Sequence, residues 1–240
     1  MDLTPRQIQI IKAIVQEYTD TAEPVGSVTL EHKYRLGVSP ATLRNEMAAL
    51  TKKGYLSKPH ASAGRLPTPL AIKFYVNELI DEQKLSVAEE VAVREKVWEN
   101  KDNLDSLLRE AVKALSERTR SLSVVSLEDS AYHHGYSYIL DTQDMCDLAV
   151  TRQILSFLDH QHKLTEVFAR SQEHDPIHLL IGEELGSQDL GPVSCVYADI
   201  HVGDKRGSLG IFASSRQTYQ HNIPLVRYVA NLVNQIAGDW

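Results

Sequence analysis

The stretch Gly37-Val38-Ser39-Pro40-Ala41-Thr42-Leu43-Arg44-Asn45-Glu46-Met47, followed by Gly54-Tyr55-Leu56, admits few backbone solutions. Gly37 permits a tight turn, Ser39 is of the type that caps a helix, and Pro40 fits the first helical position. Gly54 ends that helix, and Tyr55-Leu56-Ser57-Lys58 reads as a strand. Pro59 to Gly64 forms a flexible tip, from which Arg65-Leu66-Pro67 returns. A capped helix, a stop and a basic hairpin follow the order of the recognition helix and wing of a winged helix-turn-helix.

The residues upstream fit the same plan. Thr4 is a plausible cap with Pro5 behind it, and Ile8, Ile11, Ile14, Val15 and Tyr18 recur at helical spacing. After Glu23-Pro24-Val25-Gly26, Ser27 is placed as the cap of a short second helix that runs to Lys33-Tyr34. Beyond the hairpin, Ile72, Tyr75, Val76 and Leu79 predict a helix from Pro69 to about Gln83. This gives a first domain over residues 1–80.

The second domain, over residues 84–240, reads as α+β. Ser86-Val87-Ala88-Glu89 is a capping box, and the helix it opens is expected to bury Val87, Val91 and Val97 or Trp98. Asp102 or Asn103 caps another helix with Leu104, Leu107, Leu108, Ala111, Val112 and Leu115 on one face. Strands are expected at Ser123–Leu127, Ile177–Ile181, Val193–Ile200 and Leu209–Phe212. Residues 129–146 have no clear period, residues 147–172 read as helical, and a last helix spans about 223–237.

Charge divides unevenly between these parts. Residues 1–80 hold ten Lys or Arg against seven Asp or Glu, a net +3, which leaves −10 on the remainder of a chain whose total is −7. A basic head on an acidic body suits a regulator whose head meets phosphate. No apolar run approaches the ~18 residues of a membrane span, and the N-terminus has no signal-peptide pattern. With Cys146 and Cys195 far apart and outside metal-ligand spacing, both read as free thiols of a cytoplasmic protein.

Set on a wheel, the third helix turns Leu43, Met47 and Leu50 to one side. Asn45 and Lys52 lie nearly opposite, beside Ala41, Ala48 and Ala49, with Thr42 and Arg44 on the flanks. Such a face suits a major groove: Asn pairs bidentately with adenine, Arg with guanine, and alanine methyls meet thymine. Ser39 marks the helix N-terminus, where a phosphate is favoured. Lys58, His60, Ser62 and Arg65 are the wing candidates for backbone or minor-groove contact. A solvated face of a protein-docking module carries the same pattern. The pairs His133-His134 and His160/His162 lack further ligands for a metal, Cys195 reads as core, and Asp175 and Glu183-Glu184 as solvated loop. No Gly-x-Ser-x-Gly, Walker or dinucleotide motif appears, so no catalytic residues, metal or cofactor are expected.

At these motifs the sequence resembles the HrcA family of heat-inducible transcription repressors. The resemblance is dense in Leu3-Thr4-Pro5-Arg6-Gln7, Ala22-Glu23-Pro24-Val25-Gly26-Ser27, Gly37 to Met47, and Pro59-His60-Ala61-Ser62-Ala63-Gly64-Arg65-Leu66-Pro67-Thr68, the family's wing signature. It continues more thinly in Asn103–Ala111, Ile181–Glu184, Gly207–Phe212 and Ile223–Val229. The resemblance implies a reduced GAF-like C-terminal domain and a homodimer that represses chaperone genes. The operator would be double-stranded DNA carrying a long inverted repeat, and a GroE-type chaperonin would help keep the repressor active. A small-molecule-responsive regulator is the alternative. Two stretches depart from the family: material expected between about Leu127 and Tyr136 is missing, and Ala213-Ser214-Ser215-Arg216-Gln217 replaces Gly-Pro-Thr-Arg-Met, keeping only the arginine.

Overall fold

A computed structural model describes residues 3–60, 63–80, 83–128, 130–171 and 176–238. The chain is mixed α and β and divides into two compact units, Met1–Asp81 and Glu82–Trp240.

In the first unit, helix α1 (Pro5–Thr21) opens on a complete capping box between Thr4 and Gln7, so two end amides gain partners at once. Its apolar face buries Ile10, Ile11, Ile14 and Val15. Helix α2 (Ser27–Tyr34) is capped by the extended Gly26 and not by Ser27, which is the first helical residue and is buried. Helix α3 (Pro40–Lys52) is capped by Ser39, whose Oγ accepts from the Thr42 amide at 3.3 Å. Gly54 then takes φ +82°, which ends the helix and lets Tyr55 turn inward to meet Phe74 edge-on at 5.8 Å. Strands β1 (Leu56–Ser57) and β2 (Leu66–Pro67) pair antiparallel. The expected helix after Pro69 has two parts: α4 (Pro69–Phe74) widens into a π-helical turn over Tyr75–Leu79, with Ile80 already extended.

The second unit is built on one five-stranded antiparallel sheet, order β4-β3-β7-β6-β5. Its strands are β3 (Leu122–Leu127), β4 (Ser130–His134), β5 (Ile177–Ile181), β6 (Val193–Val202) and β7 (Lys205–Ser214). On one face lie α5 (Val87–Trp98), α6 (Leu104–Thr119) and α9 (Tyr219–Ala237), with α6 and α9 packed on each other and on the sheet. On the other, α7 (Leu148–Asp159) and α8 (Gln161–Phe168) supply Ile154, Phe157, Leu164 and Val167 to a core shared with Val124, Cys195, Tyr197 and Phe212. Helices on both faces explain why every residue of β3 is buried and its sequence does not alternate.

Four sequence expectations are corrected here. Strand β4 falls in the stretch without a period, because it is an edge strand whose residues are at most half-buried. It pairs antiparallel with β3, Leu127 opposite Ser130 and Ser123 opposite His134. The stretch expected as helical over 147–172 holds two helices, α7 and α8, broken at His160, which is extended at φ −133° and ψ 95°, and the second ends at Phe168. Helix α9 begins at Tyr219 and carries Pro224 inside it. A proline cannot donate to the carbonyl four residues back. That carbonyl, of Gln220, instead accepts the Gln83 amide at 2.9 Å, so the interior proline leaves no orphan acceptor. Finally, α5 buries Val93 and Val97, whereas Val87, Val91 and Trp98 are 76%, 45% and 41% exposed.

No helix among the described residues is long and apolar enough to cross a membrane.

Candidate nucleic-acid interface

Helix α3 divides cleanly. Leu43, Met47 and Leu50 are buried, each contributing about 1.5–3 kcal/mol through the apolar area removed from water. The opposite stripe exposes Ala41, Arg44, Asn45, Ala48 and Lys52, with Thr42 and Ala49 half-buried beside it. Spacings of three, four, seven and eleven residues put this stripe on one helix face. Ser39 and Thr42 share a hydroxyl–hydroxyl bond at 3.0 Å, so both belong first to the cap.

Several contacts fix this helix against its neighbours. The buried Gln7 of α1 donates Nε2 to Glu46 Oε2 at 2.9 Å and accepts from Lys53 Nζ at 3.0 Å. These bonds grip α3 at its middle and its end while leaving the Arg44/Asn45 face uncovered. On α1 and α2, the Glu17 carboxylate takes Lys33 Nζ at 2.6 Å and the Tyr34 hydroxyl at 2.9 Å. The Lys33 ammonium beside it holds the Glu17 carboxyl below its ordinary value.

The hairpin is held with equal care. Arg65 and Val25 exchange both backbone hydrogen bonds at 2.9 Å, which adds a third extended segment beside β1 and β2. Gly64 is required by that approach, because a Cβ there would lie 2.5 Å from the Val25 carbonyl. The Arg65 side chain is half-buried and donates Nε to Thr51 Oγ1 at 3.1 Å, tying the hairpin to the last turn of α3. Arg44, Lys58 and Arg65 meet the start of α2 at Gly26 and Ser27, which no side chain caps, around a groove of about 380 Å³. Thus a cationic groove joins the helix face to the hairpin. Lys58 and His60 are exposed, and Ser62 lies outside the described residues.

The sequence reading has Arg65 on the returning segment as a wing contact; the geometry makes it a brace to Thr51, which carries no signal by itself. The second unit holds a polar line that sequence reading passed over: Ser171 Oγ is 3.0 Å from His178 Nδ1, and His178 Nε2 is 3.4 Å from Asp199 Oδ2. The buried imidazole stacks on Tyr197 at 4.7 Å, so this line reads as a tie between β5 and β6. Cys195 is fully buried in β6, and burial pushes its thiol pKa up; Cys146 is exposed. Asp175 lies outside the described residues. Among the described residues, no three His, Cys, Asp or Glu side chains converge as a metal would need.

The profile of the HrcA protein C-terminal domain matches residues 70–223, more than half of the chain. The chain belongs to the HrcA family. The heat-inducible transcription repressor HrcA of Symbiobacterium thermophilum is 26% identical over 333 aligned positions, covering 96% of this chain and 98% of that protein. Since those positions outnumber the 240 residues present here, that HrcA protein carries chain with no counterpart in this one. The HrcA of Carboxydothermus hydrogenoformans is 51% identical over 121 residues, half of this chain and 35% of that protein. The HrcA of Desulforamulus reducens is 43% identical over 138 residues, 56% of this chain and 40% of that protein. The chain therefore matches well under half the length of these two. A crystal structure of a hypothetical protein, determined at 2.2 Å, superposes with a TM-score of 0.76 at 17% identity over 99% of both chains, a likeness of fold.

Proposed function

We propose that this chain is a DNA-binding transcription repressor of heat-shock genes that acts as a cytoplasmic homodimer on an inverted-repeat operator. In this reading the first unit is a winged helix-turn-helix and the second a reduced GAF-like effector domain. The observation that carries it is the exposed stripe of α3 running into the cationic groove shared with the hairpin. The repressor names of the family relatives support it.

Asn45 and Arg44 are the base readers, through bidentate pairing with adenine and guanine. Ser39, Thr42, Lys52, Lys58 and His60 serve the sugar-phosphate backbone, together with Ser62 and the part of the Arg65 guanidinium turned from Thr51. One short helix reads too few base pairs for useful specificity, which is why two heads on two half-sites are required. Heat would act by loosening the second unit, or by withdrawing a GroE-type chaperonin that stabilises it; either costs DNA affinity by linkage. The test is binding to the inverted repeat by wild type and Arg44→Ala. Unchanged affinity in the variant removes Arg44 from the readers.

One observation favours a second reading, in which a small molecule supplies the signal. A cavity of about 340 Å³ opens at the end of the sheet, where Arg118, Arg120 and His221 surround the buried Asn222. Its volume is at the low end of ligand pockets. Thermal-shift screening against small anionic metabolites separates this reading from temperature sensing: a saturable rise in Tm supports an effector site, and none at millimolar concentrations dismisses it.

A further inference from the structure

Helix α5 has two apolar stripes and uses one of them. Val93 and Val97 are buried, on the side that faces α6 and α9. Tyr228 of α9 pins the helix further by donating to the Glu90 carbonyl at 2.9 Å. Val87, Val91, Arg94 and Trp98 form the second stripe, spaced four, three and four residues apart, which is the seam pattern of paired helices. Its three apolar members are 76%, 45% and 41% exposed. The Trp98 ring is flanked by two cations, Arg94 at 5.7 Å and Lys101 at 4.8 Å.

We propose that this stripe docks a second copy of the chain, α5 against α5, in an antiparallel two-fold arrangement. Charge decides the partner and its direction. In the antiparallel register that sets Val87 opposite the second copy's Trp98, Val91 falls opposite the second copy's Arg94. Glu90, at the edge of that layer, then meets the same guanidinium. The one cation inside the seam is thereby matched by an acid from the other chain, twice by symmetry. Parallel pairing would instead set Arg94 on Arg94 and Glu90 on Glu90, which like-charge repulsion disfavours. Antiparallel pairing also opposes the two helix dipoles.

One twelve-residue helix per copy is a small seam beside the ~800 Å² per partner of standard interfaces, so the association is reversible and concentration-dependent. Two heads on one duplex reinforce it through effective concentration. The inference names the surface behind the dimer of the proposed function and rests on that reading for its purpose alone.

Sedimentation velocity of the full chain, without DNA and over a concentration series, tests it. Wild type is expected to pass from monomer to dimer. Val91→Arg should weaken the dimer on the order of tenfold or more, because each copy would set a second cation against the other's Arg94. Its melting temperature should stay that of wild type, since Val91 is half in water already. For direction, in a Cys146→Ser background, Val87→Cys chains are mixed with Trp98→Cys chains under mild oxidation. A disulfide-linked pair in the mixture, absent from either variant alone, is the antiparallel result. Self-linking of Val87→Cys alone, or wild-type sedimentation by Val91→Arg, overturns the seam. A wild type that stays monomeric yet binds the inverted repeat specifically overturns the seam and leaves the repressor reading standing. A dimer through α5 that binds no duplex does the reverse.

Discussion

Helices α3 and α5 present the same geometry with opposite chemistry. Each buries one face and leaves a stripe at helical spacing uncovered. On α3 the uncovered side chains are two alanines, an asparagine, an arginine and a lysine, small or hydrogen-bonding and cationic overall. On α5 they are two valines and a tryptophan around a single arginine. Water tolerates the first stripe at no cost, and a polyanion improves on water there; the second is improved by another apolar surface. An uncovered helix face is therefore not one kind of feature, and its composition names the kind of partner.

The largest test of that contrast removes the inner face of α3. Leu50→Ala should cost about 2–5 kcal/mol through the cavity it leaves, lowering the melting temperature of the first unit by circular dichroism and abolishing duplex binding. Val91→Arg, on the uncovered face of α5, should leave melting untouched, so similar losses in both would break the comparison.

Next comes the outer face of α3. Arg44→Ala should lose about 1–3 kcal/mol of operator affinity and relax discrimination at one base pair, read by fluorescence anisotropy on single-substituted duplexes. Lys52→Ala should weaken every duplex alike and flatten the salt dependence by about one unit of slope. A Lys52 variant that changes sequence preference would mean the roles of the two residues are exchanged.

The smallest effect concerns the scaffold behind the stripe. Glu17 has its carboxyl held below the ordinary value by Lys33 and Tyr34, so its contribution is present at neutral pH and lost as pH falls through the carboxylate range. Wild type should melt above Glu17→Gln at pH 7, and the two should converge on acidification. A gap that persists after the carboxylate is protonated would assign the effect to packing instead.

How much of this was legible beforehand depended on whether the cause was local. Caps at Thr4, Ser39, Ser86 and Asn103 need only a few consecutive residues, and each places its helix start. The inner and outer faces of α3 follow from periodicity alone. Gly64 was readable as a turn glycine, but the need for it comes from Val25, distant in sequence. The bracing of Arg65 by Thr51 is likewise a tertiary fact. Strand β4 left no alternation because it is an edge, and the start of α9 was hidden because Pro224 looks like a first helical residue unless Gln83 is known to satisfy the Gln220 carbonyl. The stripe on α5 was the plainest misreading. Val87 and Val91 are expected inside, with either Val97 or Trp98, since a sequence records that a face is apolar and not which surface covers it.

The most direct test of the proposed repressor is fluorescence anisotropy of the full chain on a duplex carrying the proposed inverted-repeat operator, beside a scrambled duplex of equal length, across a salt series. Tight binding to the repeat alone is expected, with a steep fall in affinity as salt rises. Equal and weak binding to both duplexes would contradict it.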